Sequence, residues 1–468
     1  MQRQLNKVST GIKGLDEVTA GGLPRGRGTL VCGGPGSGKT LLAVTFLVKG
    51  ALNNAEPGVL LSFEERISEI ELNSASLGFD LEDLQKRQLL ATDYLHIDRQ
   101  EIRETGEYDL EGLFIRLAHA VETVGAKRVV LDSIDTLFAG IPNHAILRAE
   151  LRRLLHWLKE RDLTAIITAE RGDGGLTRHG IEEYVSDCVI LLEQRVQEEL
   201  ATRRLRVVKY RGSAHGTNEY PFLIEESGLS LIPVTSLGLS HAVSDERIPT
   251  GIATLDAMLE GKGYYQGSSI LISGGPGTGK TSIGAHFAHA ATSRGARCLY
   301  LAFEESESQF VRNMATIGID LRPAIEQRRL IVNAVRPTAY GLEMHLARML
   351  HVVQELRPDV VVVDPLSALQ ASGSAGQSGI MVLRLIDHVK SAGATALYLT
   401  VQGDVDKTDL NISSLMDTWI TLRNHREASG LERRLYVVKS RGMAHSSDVR
   451  SFSIGSEGVR IDEIKEGS

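Results

Sequence analysis

Two short segments combine glycines, a lysine and a hydroxyl residue in a spacing that suits phosphate groups. Residues 33–40 and 274–281 both read G-x-x-x-x-G-K-[ST], and each follows an apolar run and opens a helical pattern. The glycines let backbone N–H groups surround phosphates, and a helix amino terminus favours an anion. The lysine would reach the β- and γ-phosphates of ATP, and the final hydroxyl would bind Mg²⁺. The predicted ligands are Gly34, Gly36, Ser37, Gly38, Lys39 and Thr40 in the first segment, and Gly275, Gly277, Thr278, Gly279, Lys280 and Thr281 in the second.

Acids at the ends of two apolar runs are the predicted partners of this cation. Asp132 ends the run 129–132, and Asp364 ends the run 360–364. A carboxylate at this position orients the hydrated Mg²⁺ through water. An acid that only starts a turn would look the same, but its repetition in register with both lysines favours the cation role.

A pair of glutamates ends the next apolar run of each copy, at Glu64-Glu65 and Glu304-Glu305. A carboxylate there can polarise the hydroxyl group that attacks the γ-phosphate. Neighbouring residues of a strand face opposite sides, so one glutamate of each pair is expected to face the nucleotide. Glu64 and Glu304 are the predicted bases, Glu65 and Glu305 remain alternatives, and Glu304 is also a predicted Mg²⁺ ligand. The dipole of a following helix would favour such acids without any catalytic role.

Two cations recur far along each copy, as Lys209-x-Arg211 and Lys439-x-Arg441. Residues two apart on a strand share a face. Such a pair suits a phosphate reached from a neighbouring subunit, where a finger of this kind is worth about 10³–10⁵ in rate. A solvated strand face is the alternative. The following histidines, His215 and His445, are candidate nucleotide contacts or packed side chains.

These repetitions show that the chain is one domain copied in tandem. Four segments recur in the same order, at 9–16, 33–40, 62–65 and 208–215, then at 249–256, 274–281, 302–305 and 438–445. The offset falls from 241 (274 − 33) to 230 (445 − 215), so the second copy has small deletions. The predicted domains are residues 1–240 and 241–468.

The elements that must position these residues alternate between strand and helix. In the first copy the predicted strands are 29–32, 58–63, 128–132 and 164–168, and the predicted helices start at Lys39 and about Ile67 and cover 147–158. Three strand-like runs, 188–192, 205–210 and 222–224, follow without a long helix. The predicted fold class is α/β, with a mainly parallel sheet flanked by helices and an antiparallel extension in each domain.

The composition excludes several classes of protein. A net charge of −7 over 468 residues argues against a DNA-coating protein. No apolar run reaches the length of a membrane span. Cys32, Cys188 and Cys298 adjoin apolar runs and form no C-x-x-C pair, so we expect core residues, no zinc and a cytoplasmic protein.

At these residues the chain resembles the KaiC family of RecA-like ATPases over essentially its whole length. The resemblance includes the paired P-loops, the glutamate pairs, the Lys-x-Arg-Gly-x-x-His segments and residues 178–187, RHGIEEYVSD. It implies two tandem RecA-like P-loop NTPase domains in a double-ring homohexamer with ATP between subunits. It also implies slow hydrolysis in the first domain and phosphorylation of the protein's own hydroxyls in the second.

By this resemblance, residues 411–418 (NISSLMDT) are the phosphorylation segment, with Ser413 and Ser414 as acceptors. Thr408 stands where the family has a further threonine near the transferred phosphate. The first copy has Glu183 and Tyr184 in place of the two serines, so we expect serine autokinase activity only in the second domain. Adjacent serines in a polar loop also suit a cap or a turn.

The resemblance also bears on partners, and the chain departs from the family pattern in two places. A KaiB-like partner is implied, whereas KaiA dependence is not expected because the chain stops soon after Ile464, where clock members carry a longer tail. Pro365 replaces the usual serine and lacks a backbone donor.

One alternative function is that of a DNA-dependent ATPase, against which the uncharged segment 371–379 and the acidic segment 403–410 argue. The other is a nucleotide-regulated scaffold with little turnover, against which the intact glutamates argue.

Overall fold

The computed structural model divides into two units, Met1–Pro233 and Val234–Ser468. The structure describes residues 5–95, 111–138, 144–172, 175–177, 180, 185–197, 200–225, 228–231, 244–339, 341–372, 375–401, 412–427 and 430–462. The predictions for Glu183, Tyr184, Thr408 and the segment 403–410 lie outside these residues.

The first unit contains all the strands and helices that its sequence predicts. Its strands are β1 (Lys7–Val8), β2 (Leu23–Pro24), β3 (Gly28–Gly33), β4 (Gly58–Ser62), β5 (Leu90–Tyr94), β6 (Arg128–Asp132), β7 (Thr164–Glu170), β8 (Cys188–Gln197), β9 (Leu200–Tyr210), β10 (Glu219–Glu225) and β11 (Gly228–Leu231). Its helices are Leu15–Val18, Lys39–Asn54, Ile67–Ala75, Leu81–Lys86, Glu111–Val124, Ile134–Phe138 and His144–Glu160. The sequence pattern did not predict β5, in which only Leu90 is buried, so that no continuous apolar run marks the strand.

The second unit repeats this order of elements. Its strands are β12 (Arg247–Ile248), β13 (Tyr264–Tyr265), β14 (Ser269–Gly274), β15 (Cys298–Ala302), β16 (Leu330–Ala334), β17 (Val360–Asp364), β18 (Thr395–Val401), β19 (Thr418–Glu427), β20 (Gly430–Ser440), β21 (Arg450–Gly455) and β22 (Gly458–Ile461). Its α-helices are Ala253–Met258, Lys280–Ser293, Glu307–Thr316, Arg322–Glu326, Leu342–Leu356 and Ala375–Ser391, and its 3₁₀ helices are Pro337–Ala339, Leu366–Ser372 and Ser413–Leu415.

The main sheets of the two units have the same topology. Their orders are β5-β4-β6-β7-β3-β8-β9-β10-β11 and β16-β15-β17-β18-β14-β19-β20-β21-β22. The first six strands of each order are parallel, and the last three pairs of neighbouring strands are antiparallel. The predicted fold class is therefore confirmed.

The parallel strands are apolar because helices cover both of their faces. On β3, Val31 belongs to one buried cluster, while Leu30 and Cys32 belong to the cluster on the other face. Both P-loops follow central strands, so they lie at the carboxyl end of a rigid sheet. That end is where ligands bind in open α/β sheets.

Two further predictions from the sequence concern the cysteines and membrane-spanning segments. All three cysteines are buried, as expected of small core residues. In the part of the chain that the structure describes, no helix has both the length and the apolar composition to cross a membrane.

Candidate nucleotide-binding sites

The loop after β3 forms part of the wall of a cavity of about 380 Å³ in the first unit. Gly38 has a φ of 97° immediately before the helix, in the left-handed region that favours glycine. Lys39 Nζ donates hydrogen bonds to the carbonyls of Gly33 at 2.8 Å and Gly34 at 3.1 Å. The lysine and the helix amino terminus both line the cavity, which suits a polyphosphate.

The loop after β14 has the same geometry in the second unit. Gly279 also has a φ of 97°, and Lys280 Nζ donates to the carbonyls of Gly274 and Gly275, both at 2.8 Å. Burial lowers the pKa of Lys280, while the carboxylates of Asp364 and Glu304 act in the opposite direction. The second loop therefore presents the same set of donors.

The acids predicted to orient Mg²⁺ end β6 and β17, and both are buried. Asp132 accepts a hydrogen bond from Thr168 Oγ1 on β7. Asp364 accepts one from the Tyr300 hydroxyl on β15 at 2.6 Å. In the first unit the donor comes from β7, on one side of β6, whereas in the second it comes from β15, which corresponds to β4 on the other side. The matching acids of the two copies therefore accept hydrogen bonds from opposite neighbouring strands. The peptide bond after each acid is cis.

Asp364 also interacts with the hydroxyl predicted to bind Mg²⁺. Burial raises the pKa of Asp364, whereas hydrogen bonds from the Tyr300 and Thr281 hydroxyls lower it. The contact brings a hydroxyl and a carboxylate together beside the P-loop. Oxygen ligands of this kind are the ones that Mg²⁺ prefers.

The glutamate pairs do not lie on strands. β4 ends at Ser62 and β15 ends at Ala302, so each pair occupies the bend that follows. The prediction that the pairs lie on strands is therefore wrong, and it was the ground for expecting the two members of each pair to face opposite sides. Glu64 and Glu65 both line the first cavity. Which glutamate acts as the base stays a prediction.

The carboxylates of the first cavity influence one another. Burial raises the pKa of Glu64, and the neighbouring carboxylates Glu170 and Asp132 raise it further, while Lys39 lowers it. Burial likewise raises the pKa of Glu65, with contributions from Asp132 and Glu64. A raised pKa brings a carboxylate closer to the range in which it can accept a proton at neutral pH.

Two carboxylates of the first site, Glu170 and Asp135, were not predicted from the sequence. Glu170 ends β7 and lines the cavity, and its backbone N–H donates to Asp135 Oδ2 at 2.5 Å. The second unit has Val401 and Ser367 at these places, where the Val401 N–H donates to Ser367 Oγ at 3.1 Å. The first site is therefore the more acidic. Comparing the two copies residue by residue would have revealed this difference.

The Lys-x-Arg pairs lie at the opposite end of the sheet from the P-loop of their own unit. Lys209 pairs with Val189 at the start of β8, and the start of β8 pairs with Thr29 near the start of β3. The P-loop follows Gly33, four residues later, which at about 3.3 Å per residue is roughly 13 Å away. The second unit repeats this arrangement. The structure therefore does not bring the Lys-x-Arg pairs together with the P-loop of the same unit.

Only the lysine of each pair belongs to a strand. β9 ends at Tyr210 and β20 ends at Ser440, so Arg211 and Arg441 begin the turns that follow. A β-bulge also precedes each lysine and changes the direction of the chain. The assumption that both cations share one strand face is therefore wrong. Both arginines are exposed.

The histidines lie in the same turns. His215 stacks on the Tyr210 ring with centroids 6.2 Å apart. His445 is half-buried, and within the described residues its Nδ1 has no hydrogen-bond partner. Neither histidine is near the P-loop of its own unit.

Ser413 and Ser414 begin the 3₁₀ helix that precedes β19. Ser413 is half-buried and Ser414 is exposed. Arg441 Nη2 donates to the Ser414 carbonyl at 2.5 Å. Because β19 starts beside Ile270 near the start of β14, the serines and Arg441 lie together, away from the P-loop of their own unit.

Comparisons with known proteins cover nearly the whole chain. The KaiC ATPase family model matches residues 8–236 and 248–466. The chain is 54% identical over 464 residues to the circadian clock protein KaiC2 of Synechocystis sp., covering 98% of this chain and 82% of that protein. It is 36% identical over 465 residues to the circadian clock protein KaiC3 of Synechocystis sp., covering 98% and 92%. It is 34% identical over 463 residues to the circadian clock oscillator protein KaiC of Synechococcus elongatus, covering 98% and 89%.

Proposed function

The chain belongs to the KaiC family of ATPases, and we propose that it hydrolyses ATP in both units and phosphorylates its own Ser413 and Ser414 in the second. One observation carries this proposal. The Lys-x-Arg pair of each unit lies at the end of the sheet opposite the P-loop of that unit, and in the second unit the two serines lie there as well. A site made from the P-loop of one subunit and the opposite end of the next would be complete, which favours a ring of identical subunits. A homohexamer is the ring that the resemblance to the family implies.

The P-loop side of each site would hold ATP and its cation. Lys39 and Lys280 would bind the β- and γ-phosphates, and Thr40 and Thr281 would bind Mg²⁺ directly. Mg²⁺ supplies neutralisation of the charge on the phosphate oxygens. Asp132 and Asp364 would orient its bound water. Support comes from the Thr281 hydrogen bond to Asp364, which joins two of these groups.

The chemical step needs a base and a cation in addition to the P-loop. Glu64 or Glu65 in the first unit, and Glu304 or Glu305 in the second, would accept the proton of the attacking water. The neighbour's Lys-x-Arg pair would stabilise the charge on the transferred phosphoryl group. His215 and His445, which lie in the same turns, would contact the nucleotide from that side.

In the second unit a serine would replace water as the acceptor. Oγ of Ser413 or Ser414 forms a bond to the γ-phosphorus, the bond to the bridging oxygen breaks, and ADP leaves. The serine proton passes to the glutamate. Because the serines lie away from their own P-loop, the ATP would come from the neighbouring subunit. The names of the relatives, which are circadian clock proteins, support a role in timing. A KaiB-like protein is the partner that the resemblance to the family implies.

Intact-mass analysis of the purified chain with Mg-ATP tests this proposal. We expect a gain of one or two phosphates, mapped to Ser413 and Ser414 and missing in the Ser413→Ala/Ser414→Ala chain, together with release of ADP. The matched control is the Glu304→Gln/Glu305→Gln chain, which lacks both candidate bases and should bind ATP but lose phosphate incorporation. If ADP forms while no phosphate stays on the chain, the autokinase proposal fails and plain ATPase activity remains.

A further inference from the structure

The first strand of each unit supplies a cation to the turn that follows the Lys-x-Arg lysine. In the first unit, Lys7 on β1 donates from Nζ to the Ser213 hydroxyl at 2.6 Å and to the carbonyls of Thr19 at 2.5 Å and Ala20 at 3.0 Å. The same ammonium lies 4.8 Å from the ring centroid of Tyr210, the residue between the two Lys-x-Arg cations. One side chain therefore ties this turn to the segment that precedes β2.

Arg247 has the matching position in the second unit, on β12. Its guanidinium donates to the carbonyls of Leu259 at 2.9 Å and Gly263 at 2.5 Å, and Nη2 lies 2.9 Å from Met443 Sδ. Met443 corresponds to Ser213, two residues after the Lys-x-Arg arginine. The side chain of Arg247 is only 9% exposed, so its contacts are screened little by water.

Further hydrogen bonds join each turn to the part of the chain that contains or precedes the second strand of its unit. The Tyr265 hydroxyl donates to the Gly442 carbonyl at 3.1 Å. In the first unit, the Gly216 N–H donates to the Val18 carbonyl at 2.8 Å. A cation suits the centre of this cluster because an ammonium or a guanidinium offers several donors to carbonyls that converge on one point. An apolar replacement would leave those carbonyls without that donor.

We infer that Lys7 and Arg247 are positioning residues for ATP hydrolysis, each setting the conformation of the Lys-x-Arg turn in its own unit and so the rate at the neighbouring subunit's site. This inference rests on the proposed action of those turns in trans. Neither residue is near the P-loop of its own unit, and the Lys-x-Arg cations would act on the transferred phosphoryl group, so the main expected effect is on kcat. An effect on KM, through the histidine contact with the nucleotide, should be smaller. A misplacement of about 1 Å costs about 10²-fold in rate, less than the about 10³–10⁵-fold contribution of the cation itself.

The first test uses the Lys280→Ala chain, in which the second P-loop lacks its lysine, so that hydrolysis reports on the first unit. In this chain Lys7→Met should lower kcat by roughly 10- to 100-fold with KM within about threefold. Lys7→Arg should retain most of the rate, because the second unit uses arginine at the same position. Arg211→Ala is the reference for loss of the exposed arginine of the Lys-x-Arg pair, and thermal unfolding of each chain reports on its fold.

The second test separates positioning from simple loss of structure. Both chains carry Lys280→Ala. One also carries Lys7→Met, with an intact first P-loop, and the other carries Lys39→Ala, with an intact Lys-x-Arg turn. Mixing them should give hydrolysis above the sum of the separate rates, because roughly a quarter of random subunit interfaces would pair an intact P-loop with an intact turn. A misfolded Lys7→Met chain could not contribute its P-loop to such a site.

The outcomes distinguish failure of the positioning role of Lys7 from failure of the proposed action of the Lys-x-Arg turn in trans. If Arg211→Ala lowers kcat but Lys7→Met leaves it unchanged, or raises only KM, the inference is overturned and the role in trans stands. If the Arg211→Ala chain regains activity when mixed with the Lys39→Ala chain but the Lys7→Met chain does not, the inference is also overturned. If Arg211→Ala itself leaves kcat unchanged, the proposed role in trans of the arginine in this turn fails, and the inference, which concerns the conformation of that turn, fails with it.

Discussion

Replacing Gly50 by alanine should destabilise the first unit, because a methyl group there would meet the buried guanidinium of Arg128. A Cβ at Gly50 would lie 2.3 Å from Arg128 Nε. The guanidinium cannot easily move away, since Arg128 is fully buried and donates to Glu56 Oε2 at 2.8 Å, the Phe46 carbonyl at 2.8 Å and the Ser9 carbonyl at 2.9 Å.

The magnitude follows from these contacts. Displacing a buried charge from its partner costs about 3–5 kcal/mol, and alanine returns about 1 kcal/mol of helix propensity relative to glycine. We therefore expect Gly50→Ala to cost about 2–4 kcal/mol. In an Arg128→Val chain the clash is gone, so the same change should stabilise by about 1 kcal/mol. The second unit already has this combination, Ala291 with Val360, both buried.

Urea unfolding followed by tryptophan fluorescence measures these values for the first unit alone. The chain has two tryptophans, Trp157 in the first unit and Trp419 in the second. A Trp419→Phe background therefore leaves only the reporter of the first unit. The four chains of the Gly50/Arg128 cycle should show a coupling energy of roughly 3–5 kcal/mol. Two independent effects that add within about 0.5 kcal/mol would refute the steric argument.

Two further predictions concern pH. Burial raises the pKa of Glu64 and the Glu170 carboxylate raises it further, so Glu170→Val in the Lys280→Ala chain should move the acid limit of ATP hydrolysis to lower pH; an unmoved pH–rate profile would contradict this. Burial lowers the pKa of His286, whose Nε2 accepts the Val459 N–H at 2.8 Å. Only the unfolded chain then binds the proton, so the second unit should lose stability as pH falls below the unfolded value of about 6.5. His286→Thr introduces the residue that the first copy has at this position, so the urea midpoint of this variant should change less with pH over this range. An equal pH dependence of the midpoint in both chains would argue against the prediction.

Much of both sites was predictable because the relevant residues are close together in the sequence. In residues 33–40 and 274–281, backbone conformation and ligand chemistry depend on neighbours only a few positions away. Asp132 and Asp364 were predictable because each closes a continuous apolar run, which is typical of a buried parallel strand. Repetition of the whole pattern predicted the two sheets with their antiparallel extensions.

The tertiary structure decided the features that depend on strand order and on where strands end. The glutamate pairs were misplaced because β4 and β15 end at Ser62 and Ala302, one residue before the end of their apolar runs. Thr168 and Tyr300 reach the matching acids from different neighbouring strands, which no local pattern reveals.

The positions of the cations show the same limit most clearly. The sequence predicted that Lys209 and Arg211 would act on a phosphate, but only the antiparallel pairing of β8 and β9 puts them at the far end of the sheet from their own P-loop. Lys7 reaches Ser213 across 206 residues of chain. Contacts of this kind depend on the register of strands that are distant in sequence, and the packing of the folded unit sets that register.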